Sequence, residues 1–104
     1  AGAAWEGERA YNGKIFKLEE HTNRLLKSAQ YMSLVPIKYS AQEINAVTYE
    51  LLEKNSLKDA YIRPLIWRGA ESMAIYNPTL TVNMLIIMLP SRAEFLSNLK
   101  LNLS

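Results

Sequence analysis

The pair Asn12-Gly13 constrains this chain most, because both central residues of a tight two-residue hairpin turn need φ > 0, which Asn and Gly tolerate best. The runs on either side, Trp5 to Tyr11 and Lys14 to Lys17, are therefore expected to pair as an antiparallel hairpin. Alternation along the first run puts Trp5, Gly7, Arg9 and Tyr11 on one face and Glu6, Glu8 and Ala10 on the other. One face thus carries a cation between two aromatics.

A helix is predicted immediately after the hairpin, from Leu18 or Glu19 to about Met32, with Glu19 and Glu20 in its first turn facing the positive end of the macrodipole. Leu18, Thr22, Leu25, Ala29 and Met32 form a stripe at helical spacing, flanked by His21, Arg24 and Ser28. Arg24 lies at the border of core and solvent, where a planar fork suits a phosphate or carboxylate. Taken alone, it reads sooner as a surface arginine paired with Glu20, four residues earlier. His21 is expected to pack and hydrogen-bond, with no chemical role.

Val35-Pro36 predicts a short extended connection, and Ser40-Ala41-Gln42-Glu43 has the form of a capping box that opens a second helix. Ile44, Val47, Thr48, Leu51 and Leu52 give that helix an apolar face, and Asn55-Ser56 marks a left-handed stop. Ala60 to Trp67 reads as a strand, with Tyr61, Arg63, Leu65 and Trp67 on one side and Ala60, Ile62, Pro64 and Ile66 on the other. Pro64 cannot donate to a ladder, which points to an edge strand or a bulge. After a loop over Arg68-Gly69-Ala70 and Tyr76-Asn77-Pro78, the apolar run Thr81 to Leu89 suits a buried strand. The tail from Ser91 to Ser104 is expected to form a short helical stretch and then an extended segment.

These elements predict an α+β fold: an antiparallel sheet with two main helices packed on one face, in two layers. At 104 residues the chain has room for one small domain, 1-104, with the tail 90-104 least defined. The uncovered face would carry Arg9, Tyr11, Tyr61, Arg63 and Trp67, too polar for ordinary core, so a ligand or a second domain is expected there.

Composition narrows the chemistry. The chain has no cysteine and a single histidine, which leaves no thiolate, no zinc pair and no Ser-His triad of the usual kind. Seven lysines and five arginines are scattered among ten acids without a dense basic block, so no nucleic-acid surface is indicated. The longest apolar run is far shorter than a membrane span of ~20 residues, and the first residues lack the pattern of a signal peptide. No membrane association and a cytoplasmic location are expected. Ala1 leads straight into a strand, as if the chain started mid-domain, and a fragment is expected.

Several ordered motifs resemble the N-terminal small domain of branched-chain aminotransferases, which are fold-type IV pyridoxal-phosphate enzymes. They are Glu6-Gly7-Glu8-Arg9-Ala10-Tyr11, Ile15 to Leu25, Ser28-Ala29, and Asp59 to Leu65 with Trp67-Arg68-Gly69-Ala70. The similarity is continuous from about Gly2 to Gly69, weakens from Glu71 to Leu89 and is faint after Pro90.

The resemblance implies that Arg24 contacts the phosphate of pyridoxal 5′-phosphate, and that Trp5 walls the pocket for a branched apolar side chain. It also implies that Tyr61 meets the substrate carboxylate and Arg63 the side-chain carboxylate of glutamate. In the intact enzyme the partners would be leucine, isoleucine or valine, and 2-oxoglutarate or glutamate, in a homo-oligomer. Arg9 and Glu6 match the family pattern too, without a role that separates cofactor support from scaffold. Arg24 and Arg63 are expected to converge over one anion-sized hollow.

The lysine that links such enzymes to the cofactor, and the acidic partner of the pyridine nitrogen, lie in the family's C-terminal domain. None of Lys14, Lys17, Lys27, Lys38, Lys54, Lys58 or Lys100 stands in a similar context. The chain is therefore expected to contain no catalytic residue and no metal site, to bind no cofactor alone and to be inactive without that second domain. The alternative is a truncated, non-catalytic domain that self-associates or binds a protein partner through its open strand face.

Overall fold

The computed structural model describes residues 2–69, 82–92 and 96. Most of the expected loop, including Ala70 and Tyr76-Asn77-Pro78, lies outside them, as do Thr81 at the start of the expected strand and nearly all of the tail after Arg92. The described elements are β1 (Ala3–Trp5), β2 (Glu8–Tyr11), β3 (Lys14–Ile15), α1 (Leu18–Tyr31), α2 (Ala41–Lys54), β4 (Ala60–Arg68) and β5 (Val82–Pro90).

The turn forms as its residues require: Asn12 and Gly13 have φ of 51° and 81°. β2 and β3 pair antiparallel, Tyr11 opposite Lys14. The turn is tied to the loop after α2, since Asn12 N–H donates to Asp59 Oδ1 at 2.8 Å and Gly13 N–H to the Lys58 carbonyl at 2.9 Å. Lys17, at φ 53°, swings the chain out of the hairpin directly into α1.

The expected first strand is split. Among the described residues, Ala3–Trp5 pairs only with β4, while Glu8–Tyr11 pairs with both β3 and β4. Both pieces keep one unbroken register along β4, Trp5 opposite Leu65 and Glu8 opposite Ile62. The interruption at Glu6-Gly7 faces Pro64. Glu6 N–H donates to the Pro64 carbonyl at 3.2 Å, and the reciprocal bond cannot form because proline has no N–H. This corrects the edge-strand expectation: β4 is interior, flanked by β1 and β2 on one side and β5 on the other. The missing ladder bond is absorbed by a break in its neighbour.

Both helices cover the same face of the sheet, in an α+β arrangement of two layers. Leu25 and Ala29 of α1 pack with Ala4 and Ile66, while Leu18 of α1 and Leu52 of α2 pack with Ala10, Ile15, Ala60 and Ile62. Leu25, Ile62 and Ile66 are wholly buried, and burying such a side chain is worth about 1.5–3 kcal/mol. The capping box is formed in full: Glu43 N–H donates to Ser40 Oγ at 3.1 Å and Ser40 N–H to Glu43 Oε1 at 3.0 Å. The left-handed stop of α2 falls on Ser56, at φ 54°.

β5 departs from expectation. It pairs with β4 over its whole length, yet Leu85, Ile87 and Leu89 are exposed, while Val82, Met84, Ile86 and Met88 pack partly against the core. The apolar run reads as a buried strand because both of its faces are hydrophobic, but the helices cover one face alone.

Candidate functional site

Parity along the strands decides which side chains meet. On the face away from the helices, Tyr61 stands opposite Arg9 and Leu65 opposite Trp5, and the common register puts Gly7 opposite Arg63. Arg63 lies over the Trp5 ring, 4.4 Å from its centroid. Its Nη2 and Nε donate to the Tyr61 hydroxyl at 2.9 and 3.3 Å. Arg9 covers the same tyrosine ring at 5.6 Å. Trp5, Arg63, Tyr61 and Arg9 therefore form one continuous strip in which cations and π faces alternate, an attractive arrangement.

Arg63 is half-buried, and among the described residues no carboxylate pairs with it. Its hydrogen-bond partner among them is the Tyr61 hydroxyl. A guanidinium held in this way keeps its charge available for an incoming anion, with two hydrogen bonds fixing its orientation.

Arg24 sits on the other side of the sheet. Glu6, next to Trp5 in the chain, points toward the helices and accepts from Arg24 Nε at 2.9 Å and from Nη2 at 2.7 Å. His21 Nδ1 lies 2.7 Å from the same carboxylate. The Glu20 pairing suggested by helix spacing is thus replaced by a bidentate clamp to a residue on the sheet. The Arg24 hydrogen bond is the largest influence on the Glu6 carboxyl and, with His21, holds it below the usual carboxylate range against the opposing effect of burial. The same hydrogen bond raises the Arg24 guanidinium. With Nε and Nη2 engaged, Nη1 of Arg24 has no partner among the described residues, and the side chain is 65% exposed.

The expectation that Arg24 and Arg63 converge over one hollow is not met within the described residues. Consecutive residues of a strand point to opposite faces, so Glu6 with Arg24 and Trp5 with Arg63 are displayed on the two sides of one backbone segment. Cavities of 270 and 420 Å³ lie elsewhere, the first reaching Ile37, Trp67 and Asn83, the second between Val47 and Leu51 of α2 and Met84 and Ile86 of β5.

Sequence patterns missed two participants. Glu6 is 18 residues from Arg24 along the chain, and no local spacing signals their clamp. Gly7 carries no side chain to attract notice, yet a Cβ built there would come within 2.6 Å of the Tyr61 hydroxyl. Its position on the aromatic and cationic face, in the alternating pattern of Trp5 to Tyr11, was the available signal.

As for a cofactor, the unengaged Nη1 of Arg24 fits one donor of a phosphate site, while every described lysine is exposed. The donor set suits the contacts to an anionic group and to a substrate, without a sequestered amine for covalent attachment. No described helix is long and apolar enough to cross a membrane.

Comparison with known proteins places these features in context. The family model for amino-transferase class IV matches residues 3–102. A probable branched-chain-amino-acid aminotransferase of Rickettsia bellii is 54% identical over 91 residues, covering 88% of this chain and 31% of the relative. The branched-chain-amino-acid aminotransferase of Pseudomonas aeruginosa is 41% identical over 86 residues, 79% of this chain and 28% of the relative.

Among solved structures, the Escherichia coli branched-chain amino acid aminotransferase superposes with a TM-score of 0.75 at 31% identity, over 86% of this chain and 31% of that one. The Thermobaculum terrenum branched-chain amino acid aminotransferase in its PLP-bound holo-form gives 0.74 at 31% identity, over 86% and 31%. The chain spans about a third of the length of these relatives.

Proposed function

From the premise that this chain belongs to the class IV aminotransferases and matches the N-terminal part of the branched-chain enzymes, we propose that it supplies cofactor-phosphate and substrate contacts in such an enzyme. The reaction is pyridoxal-phosphate-dependent transfer of an amino group between leucine, isoleucine or valine and 2-oxoglutarate. When bound, the cofactor supplies the electron sink that lets an amino group and a proton move at the substrate's α carbon.

This chain's residues bind and orient. Arg24, braced by Glu6, offers Nη1 to a phosphate oxygen. Trp5 forms an apolar wall that takes a branched aliphatic side chain and excludes water. The Tyr61 hydroxyl accepts from Arg63 and so retains its own proton to donate to a substrate carboxylate. Arg63, stacked on Trp5, receives the second carboxylate of a dicarboxylic amino donor. The lysine and the acid that the chemistry also requires come from a further domain, and this chain alone is inactive and takes up no cofactor.

The half-buried, carboxylate-free Arg63 held between Trp5 and Tyr61 carries this reading. Its test is Arg63→Ala in the complete enzyme that contains this chain. KM for glutamate rises at least about tenfold, the scale of a lost charge-assisted hydrogen bond, while KM for leucine changes less than about threefold on the same scale. An equal rise for both substrates would overturn it.

A second reading rests on Leu85, Ile87 and Leu89, exposed on the same open face. In it the chain is a non-catalytic domain that associates with a second copy through this face. A sedimentation coefficient independent of concentration argues against it.

A further inference from the structure

Gly7 is one of three described glycines for which a side chain can be weighed against its surroundings, and its case differs from that of Gly13. Gly13 needs its positive φ and would meet nothing within 4 Å. Gly7 has no positive φ, so it is not held in the left-handed region that favours glycine. A Cβ there would instead stand 2.6 Å from the Tyr61 hydroxyl and 3.3 Å from two atoms of the ring. The vacancy is a requirement of the neighbouring tyrosine, not of the chain's own conformation.

That tyrosine is reached diagonally across the ladder. Tyr61 is opposite Arg9, and its ring leans along the sheet to lay its hydroxyl over Gly7, which the register puts opposite Arg63. In this pose the hydroxyl accepts both Nη2 and Nε of Arg63, and the guanidinium comes to rest 4.4 Å from the Trp5 ring centre. A methyl at position 7 would occupy the volume that the hydroxyl now fills. Tyr61 would then have to swing away and release Arg63.

Resting on the substrate reading of Arg63 given above, we propose that Gly7 is a positioning residue for specificity: its missing side chain seats the Tyr61 hydroxyl, which aims the Arg63 guanidinium over Trp5 for a dicarboxylic amino acid. Branched-chain substrates have no second carboxylate, so they use the Trp5 wall and the Tyr61 hydroxyl but not the aim of Arg63. Gly7 contacts no reacting atom and acts through Tyr61.

The experiment compares Gly7→Ala, Tyr61→Phe and the double variant. In the 104-residue chain, the side-chain methylene protons of Arg63, whose guanidinium lies over the Trp5 ring, should resonate upfield of those of an unstructured arginine and are followed by NMR. Gly7→Ala and Tyr61→Phe each move them toward the values of an unstructured arginine, and the double variant moves them no further than Tyr61→Phe alone. Unchanged resonances in Gly7→Ala overturn the proposal, and so does an equal added displacement in the Tyr61→Phe background. Either result would make Gly7 a packing residue.

In the complete enzyme, Gly7→Ala raises KM for glutamate about 3- to 10-fold more than KM for leucine, the range of one disrupted hydrogen bond, because both substrates lose the seated Tyr61 hydroxyl and only glutamate also loses Arg63. The Tyr61→Phe background cancels most of that rise. Displaced Arg63 resonances with equal KM changes for both substrates would overturn the specificity role and the substrate reading of Arg63, while leaving the Gly7–Tyr61 seating intact.

Discussion

Glu6 and Glu8 project from the same face of the sheet toward the helices, two residues apart, yet their carboxyl groups are driven in opposite directions. Glu6 is clamped by Arg24 and touched by His21, and it titrates below the usual carboxylate value of 4.5. Glu8 is 2% exposed, its Oε2 has no hydrogen-bond partner among the described residues, and burial pushes it up to about 7, with the nearby Glu6 charge adding to the rise and His21 opposing it. One acid is stabilised as an anion; the other is kept as a neutral acid in mildly acidic solution.

The Glu6 clamp predicts acid sensitivity. A depressed carboxyl binds fewer protons in the folded state than in the unfolded chain. Its contribution is therefore full above about pH 4.5 and is lost as pH falls through the lower folded value. Glu6→Gln should be less stable than the parent at pH 6, and its urea midpoint should fall less steeply between about pH 4.5 and 3. Parallel curves for parent and variant in that range would rule out the clamp as a source of stability.

Glu8 predicts the reverse. A raised carboxyl favours the folded state below the unfolded value of 4.5, and that advantage declines as pH rises to about 7. Glu8→Gln keeps the shape without the ionisation, so it should match the parent near pH 4.5 and exceed it at about pH 8. The gain is on the order of 1–3 kcal/mol for a buried carboxyl displaced this far. Urea denaturation at the two pH values measures it, and a variant less stable than the parent at the higher pH would contradict the placement of Glu8 in the core.

How much of this was legible beforehand follows from the range of each interaction. Asn12-Gly13, the Ser40–Glu43 box and the alternation of Tyr61 to Trp67 are local patterns, and each appears where the sequence puts it. The open strip of Arg9, Tyr61 and Arg63 followed from alternation plus the excess of polar groups on one face. Partners across the fold left no such trace: the Arg24–Glu6 clamp joins a helix to a strand, and the break at Glu6-Gly7 arises from a proline more than 50 residues away. The exposed side of β5 was misjudged because hydrophobicity on both faces does not tell which one the helices cover. Arg24 and Arg63 were expected to meet because both suit anions, whereas strand parity separates them.

The second helix depends measurably on its cap. Ser40 Oγ satisfies an amide of the first turn that otherwise lacks an acceptor, and Glu43 returns the bond. Ser40→Ala should cost ~1 kcal/mol and Ser40→Gly less, read as a lowered denaturation midpoint. The inter-helix contact in which Thr22 Oγ1 donates to Asn45 Oδ1 should weaken in step, because Asn45 stands near that end of α2. An unchanged midpoint in Ser40→Ala would show that packing of Ile44 alone sets the start of α2.

The open face gives the last prediction. Leu85, Ile87 and Leu89 are 49%, 37% and 53% exposed, and they border the half-buried Tyr61, Arg63 and Leu65 in register. Burying apolar surface in water is favourable at about 25 cal/mol per Å², so this strip should draw the chain toward a covering surface. In isolation at high concentration, that surface is a second copy. Ile87→Lys adds a charge on the strip while leaving the inward Ile86 and Met88 in place, and it should abolish concentration-dependent sedimentation without lowering stability by more than ~0.5 kcal/mol, as expected for a surface substitution. If the parent sediments as a monomer at every concentration, self-association fails as a reading, and only a different surface, such as the rest of an aminotransferase, can cover this face.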